Sequence, residues 1–169
     1  MKELIPSEGV EFLEIVNKER GLLWEKIELI REEFLKTKQA INHHTPEWEQ
    51  AYPLKHHIEG GLYTREIFMP KNNICISFIH KQDHPSFLLK GEVSVILDNA
   101  EIKRLKAPCK IFTKAGTQRM FFIHEDTTWV CVYKTDQENI EDIEKDIYTL
   151  NYKELDNKII NNYKQLWQE

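Results

Sequence analysis

The middle of the chain, residues 62–133, is dominated by short runs in which apolar and polar residues alternate. Each run is rich in β-branched and aromatic residues and is bounded by Gly, Pro, Asn or Asp, which is typical of strands joined by turns. Eight such runs lie at residues 62–69, 74–80, 86–90, 92–97, 101–105, 110–114, 119–124 and 127–133. Spacing this close leaves no room for the helical crossovers of a parallel sheet, so it predicts an antiparallel sandwich or barrel.

The segments on either side of this region have a different period. Apolar residues in 8–38, 136–147 and 152–167 recur mostly at three- and four-residue steps, which predicts amphipathic helices. Gly21 lies where the first period breaks, so two helices and one kinked helix are both open. Residues 42–61 show neither period and are interpreted as an ordered connector.

The chain therefore divides into three predicted parts. Residues 1–61 form N-terminal helices and the connector, residues 62–134 form a single antiparallel β-barrel, and residues 135–169 form C-terminal helices. We expect the C-terminal helices to pack on the barrel or on a partner. A length of 169 residues suits one barrel with helical extensions rather than two ordinary domains.

Composition excludes several classes of partner. The net charge is -5 and basic residues are mixed among acidic ones, so no surface for nucleic acid or an anionic membrane is predicted. The three cysteines, Cys75, Cys109 and Cys131, lie in apolar runs without CxxC spacing, which favours free, buried thiols. The N-terminal residues lack the apolar core of a signal peptide, and no apolar stretch is long enough to span a bilayer. A cytoplasmic protein is expected.

Two segments of the predicted barrel resemble the paired sequence motifs of cupins. Residues 78–92, from Phe78 to Gly91-Glu92, resemble the first motif, and residues 114–119, Lys-Ala-Gly-Thr-Gln-Arg, resemble the second. In cupins these motifs place three histidines and a glutamate inside the barrel as metal ligands. Alignment puts Phe78 and His80 at the first two histidine positions, His84 at the glutamate position and Arg119 at the last histidine position. One ligand position of four, that of His80, is kept.

The chain also resembles a group of small cupin-like proteins encoded by tailed bacteriophages and prophages. The shared residues include the run at 61–70, Gly-Leu-Tyr-Thr-Arg-Glu-Ile-Phe-Met-Pro, and the run at 124–129, His-Glu-Asp-Thr-Thr-Trp. This resemblance covers about residues 60–147 and implies the cupin fold, without an activity. It also implies a location in the cytoplasm of a host cell, with the virion as an alternative.

His80 and His84 are candidate metal ligands, because imidazole is a common ligand of transition metals. A catalytic centre normally has at least three protein ligands, so a divalent Zn, Fe, Mn or Ni ion would need a third group. His124 is the candidate for that role, although its side chain points opposite to that of Arg119 in an unbroken strand. The alternative is that these histidines make only structural hydrogen bonds.

Arg119 replaces a ligand with a cation, which would repel a metal. A guanidinium inside a barrel is costly unless it meets a carboxylate or a bound anion, and Glu66 and Asp83 are the candidate carboxylates. Tyr63, Arg65 and Glu66 on the first predicted strand complete the candidate ligand-binding residues. Strand parity lets only one of Arg65 and Glu66 face inward: Arg65 would favour anion binding, and Glu66 would favour an ion pair with Arg119.

Three functions are compatible with these residues. The first is non-catalytic binding of a small polar or anionic molecule in the barrel mouth, where pockets are common. The second is a metal-dependent cupin enzyme that uses His80 and His84. The third is a structural or interaction protein whose helices form a homodimer, or a higher homo-oligomer, or dock to a phage or host protein. The degraded motif favours the first over the second.

Overall fold

A computed structural model of the protein describes residues 13, 23–36, 40–43, 45–97 and 101–166. Predicted features in residues 1–12 and 14–22, including the helix break at Gly21, lie outside this part of the chain. The helices are α1 Leu23–Leu35, α2 Pro46–Ala51, α3 Ile140–Ile147 and α4 Asn157–Leu166, with a 3₁₀ turn at Tyr152–Glu154. The strands are β1 Leu54–Glu59, β2 Leu62–Met69, β3 Ile74–Ile76, β4 Ile79–His80, β5 His84–Ile96, β6 Ile102–Lys106, β7 Cys109–Thr113, β8 Met120–Lys134 and β9 Tyr148–Thr149.

The architecture is mainly antiparallel β-sheet with flanking helices, as the sequence predicts. Seven strands form one sheet in the order β1-β2-β8-β5-β6, in which β3 also pairs with β8 and β7 with β5. Strands β4 and β9 form a separate pair. The pairing is consistent with the predicted jelly roll, although among the described strands the sheet does not close into a hydrogen-bonded ring.

Two long strands carry the sheet around its bend. β5 joins the runs predicted at 86–90 and 92–97, and β8 joins those predicted at 119–124 and 127–133. Their register shifts between Leu88 and Val93, as expected of a β-bulge. Gly91 lies at this point with φ +90°, and a Cβ there would come within 2.6 Å of the Asp126 carbonyl oxygen. Only glycine fits this close approach.

The sheet differs from the prediction at its N-terminal edge. β1 falls inside the predicted connector, where its pattern of half-buried and exposed residues alternates strictly, and all six of its residues pair with β2. The run predicted at 74–80 is broken into β3 and β4 around Ser77 and Phe78. The Ser77 amide donates instead to the Arg119 carbonyl, so the chain leaves the sheet next to the cavity.

The helices pack on the sheet of their own chain. Leu23 and Ile27 of α1, with Leu13, cover Met120 and Phe122 on the outer face of β8. Trp24 stacks between Tyr152 and Tyr163 and donates a 2.7 Å hydrogen bond to the Gly116 carbonyl oxygen. None of the helices within the described residues combines the length and the apolarity needed to cross a bilayer.

Candidate functional site

A cavity of about 240 Å³ lies on the inner side of the sheet, closed partly by the N-terminal segment. Strands β2, β3 and β8 form its walls, and α1, α2 and residues 40–43 form part of its rim. Its apolar lining includes Phe34, Trp48, Ile67, Phe78, Phe121 and Trp129, and its polar lining includes Arg31, Arg65, Arg119, His80 and Tyr148. The described lining residues thus include three arginines and no Asp or Glu.

Arg65 faces the cavity because β2 turns its odd-numbered residues inward. Arg65 is 9% exposed, and its guanidinium carbon lies 5.5 Å from the centroid of the Tyr148 ring. Glu144 Oε1 on α3 is 3.6 Å from Arg65 Nε, too far for a hydrogen bond, and that nitrogen has no hydrogen-bond partner among the described residues. Glu66 points to the other face, where it pairs with Lys55 at 2.7 Å. Strand parity allowed only one of Arg65 and Glu66 to face inward, and that residue is Arg65.

Arg119 lies just before β8 and is 2% exposed. Its Nη1 donates to Thr113 Oγ1 at 2.8 Å, and that hydroxyl also lies 2.9 Å from Ser86 Oγ. The two carboxylates considered as partners from the sequence bind elsewhere. Asp83 accepts hydrogen bonds from Lys114 and from the Ala115 amide, and Glu66 pairs with Lys55.

His80 and His84 are adjacent and buried, with ring centroids 4.6 Å apart. His84 Nδ1 donates to the Gln82 carbonyl oxygen at 3.0 Å, which leaves Nε2 unprotonated and without a hydrogen-bond partner. His80 Nδ1 is 2.8 Å from the Tyr133 hydroxyl, which donates its own proton to Tyr148 at 3.0 Å. His80 Nδ1 is therefore the donor to Tyr133, and its Nε2 is a proton acceptor.

The electrostatics of this cluster keep both imidazoles neutral at pH 7. Burial lowers the pKa of His84 to about 4, assisted by the positive charge of Arg119. Burial also holds the pKa of His80 well below its usual range, and His84, Arg119 and Arg65 lower it further. Arg65, Arg119 and His80 all line the same cavity, so both positive charges act on the His80 ring.

A metal fits this site poorly. The described residues include no group of three or more His, Cys, Asp or Glu side chains arranged to hold an ion. His124, the third ligand considered from the sequence, is on the outer face of β8, where its Nε2 is 2.7 Å from Ser94 Oγ and its ring contacts Phe122. It is not brought together with His80 and His84. The guanidiniums of Arg65 and Arg119 line the same cavity as His80 and oppose a bound cation.

The remaining candidate from the sequence, Tyr63, is fully buried, and its hydroxyl is 2.7 Å from His56 Nδ1. It packs in the main core and is not part of the cavity wall.

Sequence analysis overlooked four cavity residues from the helical segments and the connector, namely Phe34, Trp48, Tyr52 and Tyr148. The only signal for them was their aromatic character. Burial raises the pKa of the Cys75 thiol, also in the wall, to about 12, so it is not a thiolate nucleophile.

Comparison with known proteins gives likenesses of structure only. The chain matches no protein-family model and no curated protein. Among solved structures it is similar to a cupin domain of an XRE family transcriptional regulator from Enterobacter cloacae, with 11% identity over 52% of this chain and 100% of that chain and a TM-score of 0.44. It is also similar to an acetylacetone dioxygenase from Acinetobacter johnsonii, with 15% identity over 59% and 78% of the two chains and a TM-score of 0.41. A protein of unknown function from Vibrio parahaemolyticus matches with 12% identity over 49% and 87%, at a TM-score of 0.44.

Proposed function

We propose that this protein binds a small anionic molecule in the cavity, without catalysis and without a metal. The observation that carries the proposal is the lining itself, in which Arg65 and Arg119 are both buried and the described wall residues include no carboxylate. Removing a guanidinium from water is costly unless an anion or a set of acceptors replaces the water. A bound anion would supply that replacement for Arg65 and would accept further charge-assisted hydrogen bonds from Arg119.

The chemistry of the arginines favours an oxyanion. A guanidinium presents several N–H donors in a planar fork that matches carboxylate and phosphate oxygens, and such charge-assisted hydrogen bonds are stronger than neutral ones. Arg65 Nε has no hydrogen-bond partner among the described residues and is available to a ligand. Neutral His80 and the Tyr148 hydroxyl add polar atoms that would orient the bound molecule.

The first test measures ligand-dependent stability. A panel of organic and inorganic anions is screened by thermal shift, and hits are measured by isothermal titration calorimetry. A ligand at about one hundred times its dissociation constant adds roughly 2.7 kcal/mol of stability, which for a chain of this size raises Tm by about 5–10 °C. If no anion in the panel shifts the wild-type protein, the proposal is wrong.

Substitutions at the two arginines locate the binding site. Arg65→Met and Arg119→Met keep most of the side-chain volume and should abolish the shift, whereas Arg65→Lys should keep part of it because the charge remains. Arg104→Met is the matched control, because Arg104 is paired with Glu92 on the exposed surface and should leave the shift unchanged. Shifts that survive in both cavity variants would overturn the assignment of the site.

The metal content of the protein tests the other half of the proposal. Inductively coupled plasma mass spectrometry of protein purified without chelators should find less than about 0.1 equivalent of any transition metal. A nearly stoichiometric metal that is lost in His80→Ala would instead favour a metal-dependent enzyme.

The relation to phage proteins and the homo-oligomer remain predictions from the sequence. An interaction role through the helices would also be compatible with a ligand-binding cavity. Size-exclusion chromatography with light scattering distinguishes a monomer from the predicted dimer.

A further inference from the structure

We infer that the ligand is an amphiphilic monoanion, with a carboxylate head at Arg65 and Arg119 and an apolar aliphatic or aromatic body along the rest of the cavity. This inference rests on the proposed function and names the class of ligand. It follows from how polar and apolar residues are distributed in the wall.

Four polar residues of the wall, Arg65, His80, Arg119 and Tyr148, form one group, and the other polar lining residues are Arg31, Asn42, His43, Asn73 and Ser77. Arg65 lies against the Tyr148 ring, Tyr148 accepts a hydrogen bond from Tyr133, and Tyr133 accepts one from His80. Arg119 lies beside the same segment, because its carbonyl accepts from the Ser77 amide and the Thr117 carbonyl accepts from the His80 amide, each at 2.9 Å. Since Arg65, Arg119 and His80 all line the cavity, an anionic head could meet both guanidiniums and the His80 ring.

The wall becomes apolar along β2 and β8. Each step of two residues along a strand advances about 6.6 Å, so Ile67 and Met69 lie successively farther from Arg65 on the same face. Ile67 is opposite Trp129 in the register of the two strands, and Trp129 packs edge-on against Phe121 with ring centroids 5.3 Å apart. No charged residue lies on this inward face of β2 beyond Arg65.

The N-terminal segment extends the apolar surface. Phe34 of α1, Ile41 and Trp48 of α2 contribute to the lining, and the His43 ring packs against Phe78 and Trp48. A wholly hydrophilic ligand, such as a sugar phosphate, would leave this surface without contacts and would bury hydroxyl groups without partners. An apolar body instead gains free energy as it leaves water.

The charge at the polar end favours a single negative charge on the ligand. Glu144 lies 3.6 Å from Arg65 and is largely buried, so it offsets part of the positive charge there. A dianionic phosphate would also lose more hydration on entering the cavity than a carboxylate does. The polar end and the apolar wall of the cavity together favour a hydrophobic carboxylate.

A homologous series of ligands tests this inference on the full chain. Affinities are measured by calorimetry for acetate, butyrate, hexanoate, octanoate and phenylacetate, with inorganic phosphate and glucose 6-phosphate as hydrophilic anions. We expect affinity to rise about fourfold per methylene until the cavity is filled. If the hydrophilic anions bind as tightly as hexanoate, the inference is overturned while the proposed function stands; if nothing in the series or the hydrophilic set binds, both are overturned.

Variants separate the head from the body of the ligand. Ile67→Thr replaces the ethyl arm of the side chain with a hydroxyl in the apolar wall and should flatten the dependence on chain length while acetate binding is kept. Ile102→Thr is the control, since Ile102 is also half-buried in a strand but packs against the α1 cluster outside the cavity. An unchanged chain-length dependence in Ile67→Thr would contradict the assigned position of the apolar body.

Discussion

At the scale of single residues, the neutral state of His84 is the clearest consequence of burial. Its side chain is 1% exposed, its Nδ1 donates to the Gln82 carbonyl, and the positive charge of Arg119 acts on it. Burial and the Arg119 charge favour the neutral imidazole and outweigh the Gln82 carbonyl and the Asp83 carboxylate, which favour the protonated ring and raise the pKa. The result is a pKa of about 4, against an ordinary value of 6.5.

This shift predicts a dependence of folding stability on pH. Because the folded-state pKa is lower, the unfolded chain binds more protons between pH 6.5 and pH 4, so the free energy of unfolding falls as pH falls through this window. The contribution of His84 amounts to at most about 3 kcal/mol. Urea denaturation at pH 7, 6, 5 and 4.5 measures it, and His84→Gln should flatten the slope. An equal slope in the variant would mean that His84 is not the group that titrates.

Arg65 places a buried positive charge on the inward, otherwise apolar face of β2. Its neighbours at 63, 67 and 69 are all apolar or aromatic, and the parity that buries them also buries the charge. Under the proposed function, Arg65 and Arg119 would bind the anion together.

At the scale of elements, α1 connects the two ends of the chain. One of its faces covers the outer side of β8, while Trp24 reaches the Gly116 carbonyl and the aromatic rings of the C-terminal region. Gly116 has φ +92°, and a Cβ there would come within 2.9 Å of Ile159 on α4. The close approach of strand, α1 and α4 therefore depends on this glycine.

We expect substitution of Trp24 to loosen both helices together. Trp24→Leu removes stacking area and a buried hydrogen bond and should cost about 3 kcal/mol. In a double-mutant cycle, Trp24→Leu and Tyr163→Leu should couple by about 1 kcal/mol because the two rings stack with centroids 4.1 Å apart. Leu29→Ala, on the same helix but 64% exposed, is the control and should change stability by less than about 0.5 kcal/mol. Zero coupling would mean that α1 and α4 do not meet within one chain.

At the scale of the whole molecule, the three apolar clusters are linked. The main core fills the inner side of the sheet, a second cluster joins α1 to the outer face of β8, and a third joins α1 to α4 through Trp24 and Tyr163. Strand β8 contributes to the first two and α1 to the last two, so none of the clusters can be lost without exposing part of another.

This arrangement predicts cooperative unfolding. Urea transitions followed by far-UV circular dichroism and by tryptophan fluorescence should coincide, in both Trp24→Phe and Trp129→Phe, which leave reporters in different clusters. An earlier fluorescence transition in Trp129→Phe than in Trp24→Phe would contradict this, since it would show the helices separating from the sheet.

Local patterns sufficed to predict the antiparallel strands and the flanking helices, whereas the candidates His80, His84 and Arg119 came from the resemblance to the cupin motifs. Period-two alternation and turn residues act over a few neighbours, and β2 begins and ends where the pattern indicates. The same rules failed for β1, since an edge strand with only one partner needs no continuous apolar face. They also predicted two separate strands in place of β5 and two in place of β8, because each strand bends. Only the pairing across the sheet shows that each is one continuous strand.

The cavity itself depends on contacts between distant parts of the chain. Sequence parity established that Arg65 or Glu66, but not both, faces inward, whereas the choice depends on which side of β2 is covered by β3 and the N-terminal segment. Phe34 and Trp48 reach the wall because α1 and α2 pack across the mouth, although both residues lie far in sequence from β8, which forms the facing wall. Alternation along a strand is local, but the side that becomes the interior, and what closes it, is determined by long-range packing.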